Sequence, residues 1–294
     1  MTLVRMVIGE IFVAILVIGV VYAAVSPALQ PIVFPKIEMP WLAQGNRTVD
    51  DYSLVKGSNV SQTVSYVDLN VTVKFGAISL AFSNDPDLAV DARFDRGENA
   101  SQFEANQATD GQVLRVSMNG EAGMLNLSLG NSFQYNGSLN LRIGGVTMTL
   151  GQYSNISKLN VRVEYIGGII LDIKDSAAFE KLDLSLNVGG VQFNSDANHI
   201  LKDATINMNI DIGGATLGMG INTDLIGASL EGNVDIGRIT VNTDRFTGTT
   251  STNHCSVKTT GYDHSTKKID VTVKIGLGRL TLQPTPQILL GPYT

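Results

Sequence analysis

Five acidic side chains gather in the stretch "NDPDLAVDARFDRGEN", residues 84–99: Asp85, Asp87, Asp91, Asp95 and Glu98. Oxygen ligands on alternate residues of a loop are the chemistry of a calcium site, so Asp85, Asp87 and Asp91 are candidate calcium ligands. The full calcium-loop signature is missing, and Arg93 and Arg96 neutralise part of the charge. A solvated loop is the favoured reading. A second group, His254, Cys255 and His264, offers the nitrogen and sulfur donors that a zinc or copper ion takes. Adjacent His-Cys has no standard ligand spacing, and the Thr- and Ser-rich stretch 245–268 around it reads as a polar surface hairpin. Hydrolysis would need a nucleophile near a base, or two carboxylates facing a cleft. His199, His254 and His264 are the three histidines, and none sits in a recognisable nucleophile motif. The expectation is a chain that is not an enzyme and holds no cofactor or resident metal, with calcium as the one ion worth testing.

Composition narrows the class. The chain has 294 residues, 44% of them hydrophobic, which is ample for a core. Net charge is −6 and the lysines and arginines are scattered, which excludes a nucleic-acid footprint. One cysteine allows no intramolecular disulfide, so packing and backbone pairing must hold the fold.

Residues 6–25, "MVIGEIFVAILVIGVVYAAV", are apolar except for Glu10. At about 1.5 Å per residue such a run crosses a bilayer of about 30 Å, so residues 1–26 read as an N-terminal membrane anchor. An ionisable residue in a membrane segment invites a functional hypothesis. The segment resembles the start of type IV pilin-like proteins, in which a glutamate at the fifth mature position pairs with a neighbouring subunit. Glu10 would be fifth if cleavage fell before Met6, although Arg5 stands where that family has glycine or alanine. The favoured reading is that Glu10 lies near the membrane surface and snorkels. Glycosylation sequons occur at Asn46, Asn59, Asn70, Asn99, Asn126, Asn136 and Asn155, and none of the asparagines beyond position 155 lies in one. That distribution suggests a glycosylated, membrane-proximal half outside the cell.

The elements that would position these residues follow from proline and glycine. Pro27, Pro31, Pro35 and Pro40 make residues 27–50 an extended, semi-rigid stalk, and residues 284–294 form a Pro-rich tail. Between 41 and 283 the only proline is Pro86, as sheet requires. Within 51–283 one phrase recurs: "LNLRIGGVTMTLG", "LNVRVEYIGGIILDIKD", "LDLSLNVGGVQFNSD", "INMNIDIGGATLGMG", "LEGNVDIGRITVNT" and "IDVTVKIGLGRLTLQ". The first glycines after their alternating runs stand at 144, 167, 189, 213, 237 and 276, a period near 23 broken by a longer last gap. Gly76 precedes Gly144 by 68 residues, close to three periods. Alternation before each glycine, as in Leu182, Leu184, Leu186 and Val188, marks a strand with one buried and one wet face. The pairs Gly144-Gly145, Gly167-Gly168, Gly189-Gly190 and Gly213-Gly214 turn the chain, either at a corner that returns the next apolar residue to the same interior or at a two-residue hairpin. The corner is favoured. The expected fold is all-β, a β-solenoid or stacked-sheet prism of about 23-residue coils behind one transmembrane helix, with an antiparallel meander or barrel as the alternative.

The phrases "IDVTVKIGLGRLTLQ" and "LDLSLNVGGVQFN" resemble the toast-rack, or adhesin-like β-repeat, domains of bacterial and archaeal envelope proteins. The resemblance covers residues 66–283 in pattern. It implies a stacked β architecture beside a membrane, used for sensing, scaffolding or surface contact without catalysis. The expected role is a structural, adhesion or scaffold element on the cell surface, with the membrane, further copies of the chain or other surface molecules as partners. The alternatives are a pilin-like filament subunit and an envelope-stress or polysaccharide-binding domain.

Overall fold

Period-two patterning over runs of some 17 residues has one solution, long strands buried on one face. The computed structural model describes residues 47–98, 100–220, 225–242 and 245–283, and these are all-β. The strands are β1 (Arg47–Val55), β2 (Tyr66–Phe82), β3 (Leu88–Gly97), β4 (Glu104–Asp110), β5 (Val113–Leu129), β6 (Gln134–Leu150) and β7 (Ile156–Ile173). They continue with β8 (Phe179–Ser195), β9 (Ala204–Met219), β10 (Ile226–Val241), β11 (Phe246–Thr250), β12 (His254–Thr259) and β13 (Lys267–Gln283), and a single 3-10 turn spans Tyr262–His264. All thirteen belong to one open sheet, in the spatial order β1-β3-β5-β2-β6-β7-β8-β9-β13-β10-β12-β11, with β4 also on β5. From β5 to β10 every neighbouring pair is parallel. The alternative of an antiparallel meander or closed barrel is therefore not what forms.

Each long strand runs straight through its glycine, so the glycine is a corner within a strand and not a hairpin turn. Gly123, Gly76, Gly144, Gly167, Gly189, Gly213, Gly278 and Gly237 stand in register across eight coils. Space dictates the residue type: a Cβ on Gly189 would lie 1.8 Å from the carbonyl oxygen of Gly167, and its φ of +138° is one that side chains rarely tolerate. In β13 the residue on this line is Gly278, not the expected Gly276. The second glycines Gly145, Gly168, Gly190 and Gly214 form the adjoining row, which Arg279 continues. A Cβ on Gly145 would meet nothing nearer than 4.0 Å, whereas one on Gly214 would lie 3.0 Å from the Arg279 carbonyl, so space requires glycine at some members of that row and not at others.

The interior is a single cluster fed by both halves of the long strands, including Leu182, Leu184, Leu186, Val191 and Phe193 of β8. Burying each such side chain stabilises by about 1.5–3 kcal/mol relative to exposure. One expectation fails at the corner. Val188, Ile166 and Ile212, the residues just before the glycines, are half-buried on the outside instead of joining the core, whereas Ile169 and Val191 do join it. The physical reason is visible in the register: Leu186↔Ile210 is followed by Val188↔Ile212, and the residue between drops out of the ladder, which reverses the phase.

Both ends of the stack depart from chain order. Gly76 pairs directly with Gly144, so the 68 residues between them are not three stacked periods. Residues 83–133 instead build β3, β4 and β5, with β5 on the far side of β2. At the other end β13 inserts between β9 and β10, and the 245–268 insertion contributes the β11–β12 hairpin. An unpaired parallel edge invites another strand, and the chain uses these antiparallel pieces to cover its own. The sheet begins at Arg47, inside the stretch assigned to the stalk. Glu10, the membrane segment 6–25, the prolines of the stalk and the tail 284–294 lie outside the described residues, among which no helix is long and apolar enough to cross a membrane.

Candidate functional site

Parallel stacking in fixed register turns the outward-facing residues of successive coils into rows. One row on the first half of the coils runs Asn70, Ser138, Asn160, Asp183, Asn207, and the next runs Thr72, Asn140, Arg162, Ser185, Asn209. Partners within these rows are one repeat apart. Ser138 Oγ donates to Asn70 Oδ1 at 3.1 Å, and Asn207 Nδ2 donates to Asp183 Oδ1 at 2.7 Å. On neighbouring coils Asn194 Nδ2 donates to Asp172 Oδ1 at 2.7 Å, Lys174 meets Asp196 at 3.0 Å and Lys202 meets Glu180 at 2.8 Å. Each exposed ion pair adds little stability by itself. Together they give a broad, flat, hydrogen-bonding face.

The face has a shallow hollow on β2, β6 and β7. About 350 Å³ in volume, it is lined by Asp68, Asn70, Asn136, Ser138, Lys158 and Asn160, over the backbone of Leu69 and Gly137. It continues past Asp68 and Asn136 to Tyr66, which is 42% exposed. Its origin is local. Gly137 has φ +149° and is the only described glycine of the parallel strands with a positive φ off the corner line. β7 meanwhile carries an extra residue, Ser157, opposite the Tyr135–Asn136 step. Position 137 stands in register with the buried Leu69 and Leu159, and a Cβ there would collide with the Leu69 carbonyl at 2.0 Å, so only glycine fits beneath the hollow.

The residues singled out in the sequence are scattered. Asp85 turns the chain into β3, its Oδ1 accepting from the backbone N–H of Asp87 at 2.9 Å and of Leu88 at 3.3 Å, while Asp91 sits on β3 itself opposite Ser53 and Ser128. His254 is half-exposed, its Nδ1 2.9 Å from Asn233 Oδ1. Cys255 points the other way, fully buried, and burial pushes its thiol up to about 11. His264 ends the 3-10 turn. Among the described residues no three His, Cys, Asp or Glu side chains gather to hold a metal ion.

Of the sequon asparagines, Asn46 and Asn99 lie outside the described residues. Asn70 and Asn126 are exposed on strands whose neighbours Leu69, Val71, Leu127 and Leu129 are buried, so their side chains point outward. Asn136 Oδ1 accepts from Lys158 N at 3.1 Å. Asn59 folds back on its turn, with Nδ2 donating to Ser53 O at 2.8 Å, and Asn155 Nδ2 donates to Phe133 O at 3.3 Å.

One pairing was not foreseen. Ser176, with φ +64°, has its Oγ 3.1 Å from His199 Nε2, and Asp175 accepts from the N–H and the side chain of Asn198, which holds its carboxyl below the usual range. This is a nucleophile beside a base, yet Asp175 bonds the backbone of Asn198 and His199 instead of the imidazole, and Asp175 and His199 are exposed. Its signal was in the sequence: Ser176 and His199 are 23 residues apart, one period, and so occupy the same place on adjacent coils.

No family model and no curated relative matches the sequence. The fold is shared with a candidate cell adhesion protein from Clostridium sporogenes, at 17% identity over 81% of this chain and 100% of that one, with a TM-score of 0.51. A candidate adhesin from Bacteroides fragilis aligns at 14% identity over 82% of this chain and 98% of its own, TM-score 0.33. A candidate lipid binding protein from Parabacteroides distasonis aligns at 10% over 81% and 98%, TM-score 0.23. Of these three likenesses the first is close enough to carry weight, and what it carries is the fold alone.

Proposed function

We propose that the chain is a membrane-anchored, glycosylated surface protein whose β-repeat domain has a structural, adhesion or envelope-scaffold role outside the cell, without catalysis. The observation that carries this reading is the rigid parallel stack with a wide, shallow, polar outer face, a shape suited to contact over area rather than to enclosing a small substrate. The adhesin-like fold supports it, and so does the outward direction of Asn70 and Asn126, where a glycan would meet no core residue. Residues 6–25 supply the anchor and the four prolines before the sheet supply a spacer. The test is protease treatment of intact cells, followed by intact mass and N-terminal sequencing of the protein from its native membranes. Cleavage of the domain on unbroken cells, together with a start at Met1 or Thr2 and excess mass at the sequons, is the expected result. A domain protected until the cells are lysed sinks the reading, and a start at Met6 replaces it with a pilin-like subunit.

A further inference from the structure

The hollow at Gly137 holds hydrogen-bonding groups that the protein leaves unused. The carboxylate of Asp68 and the carboxamide of Asn160 have no hydrogen-bond or ion-pair partner among the described residues, and neither do the Nδ2 donors of Asn70 and Asn136. Two carboxamides elsewhere on the face are paired across coils, Asn207 with Asp183 and Asn194 with Asp172. A group of donors and acceptors, with the carboxylate of Asp68 and the Lys158 ammonium, itself 3.9 Å from Asp183, set over the backbone of Leu69 and Gly137 with a half-exposed tyrosine at its end, matches one chemistry. Hydroxyl groups both donate and accept, so a ligand rich in them uses such a mixed set, while its C–H faces can rest on Tyr66. Asp68 and Lys158 bring opposite charges, which favours a neutral ligand over a polyanion. The open shape admits a chain end or a segment of a longer polymer.

We propose that this hollow is a binding site for a neutral saccharide, with Asp68, Asn70, Asn136 and Asn160 supplying the hydrogen bonds and Tyr66 a stacking surface. The proposal deepens the surface-adhesion reading and rests on it. Two sources share the chemistry, because Asn70 and Asn136 are themselves sequon asparagines. The saccharide is either an external glycan or the first sugars of a glycan carried by one of these residues.

The test uses the full-length chain in detergent, made in a host without N-glycosylation and titrated calorimetrically with triacetylchitotriose and, in parallel, with trigalacturonate. Saturable binding of the neutral trimer is expected, at least tenfold tighter than of the acidic one. It should weaken at least tenfold in Asp68→Ala and in Asn160→Ala, with thermal unfolding unchanged, while Thr216→Ala on the other half of the outer face binds as the parent does. Absence of saturable binding, or equal binding by all variants, overturns the proposal. Protein from native membranes separates the sources. If it is modified at Asn70 or Asn136 and does not bind, while the protein from the host without N-glycosylation does, the chain's own glycan occupies the hollow. If it is unmodified there and binds, the ligand is external. A chain modified at those positions that still binds equally well places the saccharide elsewhere and also overturns the proposal. None of these outcomes alters protease access on intact cells, so failure here is distinct from failure of the surface reading.

Discussion

The two ends of the stack solve the same problem differently. At the end formed by β5, the outer edge is paired along nearly its whole length: β4 covers Val113 to Asn119 and β3 covers Gly123 to Leu129, with β1 beyond. The cover is fastened by Arg96 Nε donating to Asp50 Oδ2 at 2.6 Å, by Phe103 N donating to the same carboxylate, and by Phe94 stacked on Phe103 at 5.0 Å. At the end formed by β10, β12 pairs only with Ser229 to Asn233. Beyond that, the turn at 251–253 supplies two backbone acceptors, Asn253 to Val234 and Thr252 to Ile239. Asp235, Ile236, Gly237 and Arg238 stay exposed, Ile236 at 67%. The contrast shows that the glycine line alone builds the stack, whereas the closure of an end depends on what the neighbouring antiparallel strands bring.

The largest effect expected from this comparison is at the glycine line. Gly189→Ala places a methyl 1.8 Å from the Gly167 carbonyl in the middle of the stack, with coils held on both sides, and should cost about 3 kcal/mol or more, read as a large drop in thermal midpoint or failure to fold. Gly237→Ala meets an equally close carbonyl, that of Gly278, but β10 can shift outward, so about half that loss is expected. Gly123→Ala, at the closed end, also strikes the Asp95 carbonyl at 2.6 Å and Phe94, and should behave like the middle of the stack. Equal losses at 123 and 237 would show that the two ends are closed to the same degree.

Next in size is the fastening of the closed end. Asp50→Ala removes an acceptor from Arg96 and Phe103 and should lower stability by about 1 kcal/mol, kept small by solvent screening of the pair. The hydrogen bond from Arg96 holds the Asp50 carboxyl below its ordinary value near 3.8. A carboxylate depressed in the folded state contributes stability that is present above its unfolded pKa and lost as pH falls through the folded one. Midpoints measured from pH 6 down to pH 2 should therefore fall less steeply in Asp50→Asn than in the parent, and identical slopes would remove Asp50 from the account. The smallest effect is at the open end: Ile236→Ser should change stability by no more than about 0.5 kcal/mol, since little apolar area is buried there. A larger loss would mean that a further segment or a second copy covers this residue.

The repeat was legible because its cause is local. Alternation before the glycine is dictated by which face each residue shows, and the buried Leu182, Leu184 and Leu186 were readable from spacing alone. The misreadings share a different origin. Gly276 is the first glycine of its phrase, but the long insertion before it breaks the period, and only the register with the neighbouring coil puts Gly278 on the line. Val188 and Ile212 were assigned inward because nothing in the sequence marks the residue that drops out of the ladder at the corner. β5 went unrecognised as a coil because "NGEAGM" separates its two glycines and hides the repeat, although Gly123 stands on the line. As for the candidate site, Asn70 and Asn136 of the hollow are legible as sequons, but not as neighbours, and Asn160 carries no signal of its own. Asn70 and Asn136 are 66 positions apart and meet only because β6 returns to β2 after the detour through β3, β4 and β5.

By itself the sequence determined the all-β class, the glycine-marked corner and the period that sets which side chains lie on adjacent coils, since each follows from the steric and solvation needs of single residues and near neighbours. Only the tertiary structure decided the order of coils at either end and the hollow at Gly137. Both depend on which strand edge lies nearest when the chain comes back, a contest between hydrogen-bonding surfaces far apart in sequence that no local pattern records.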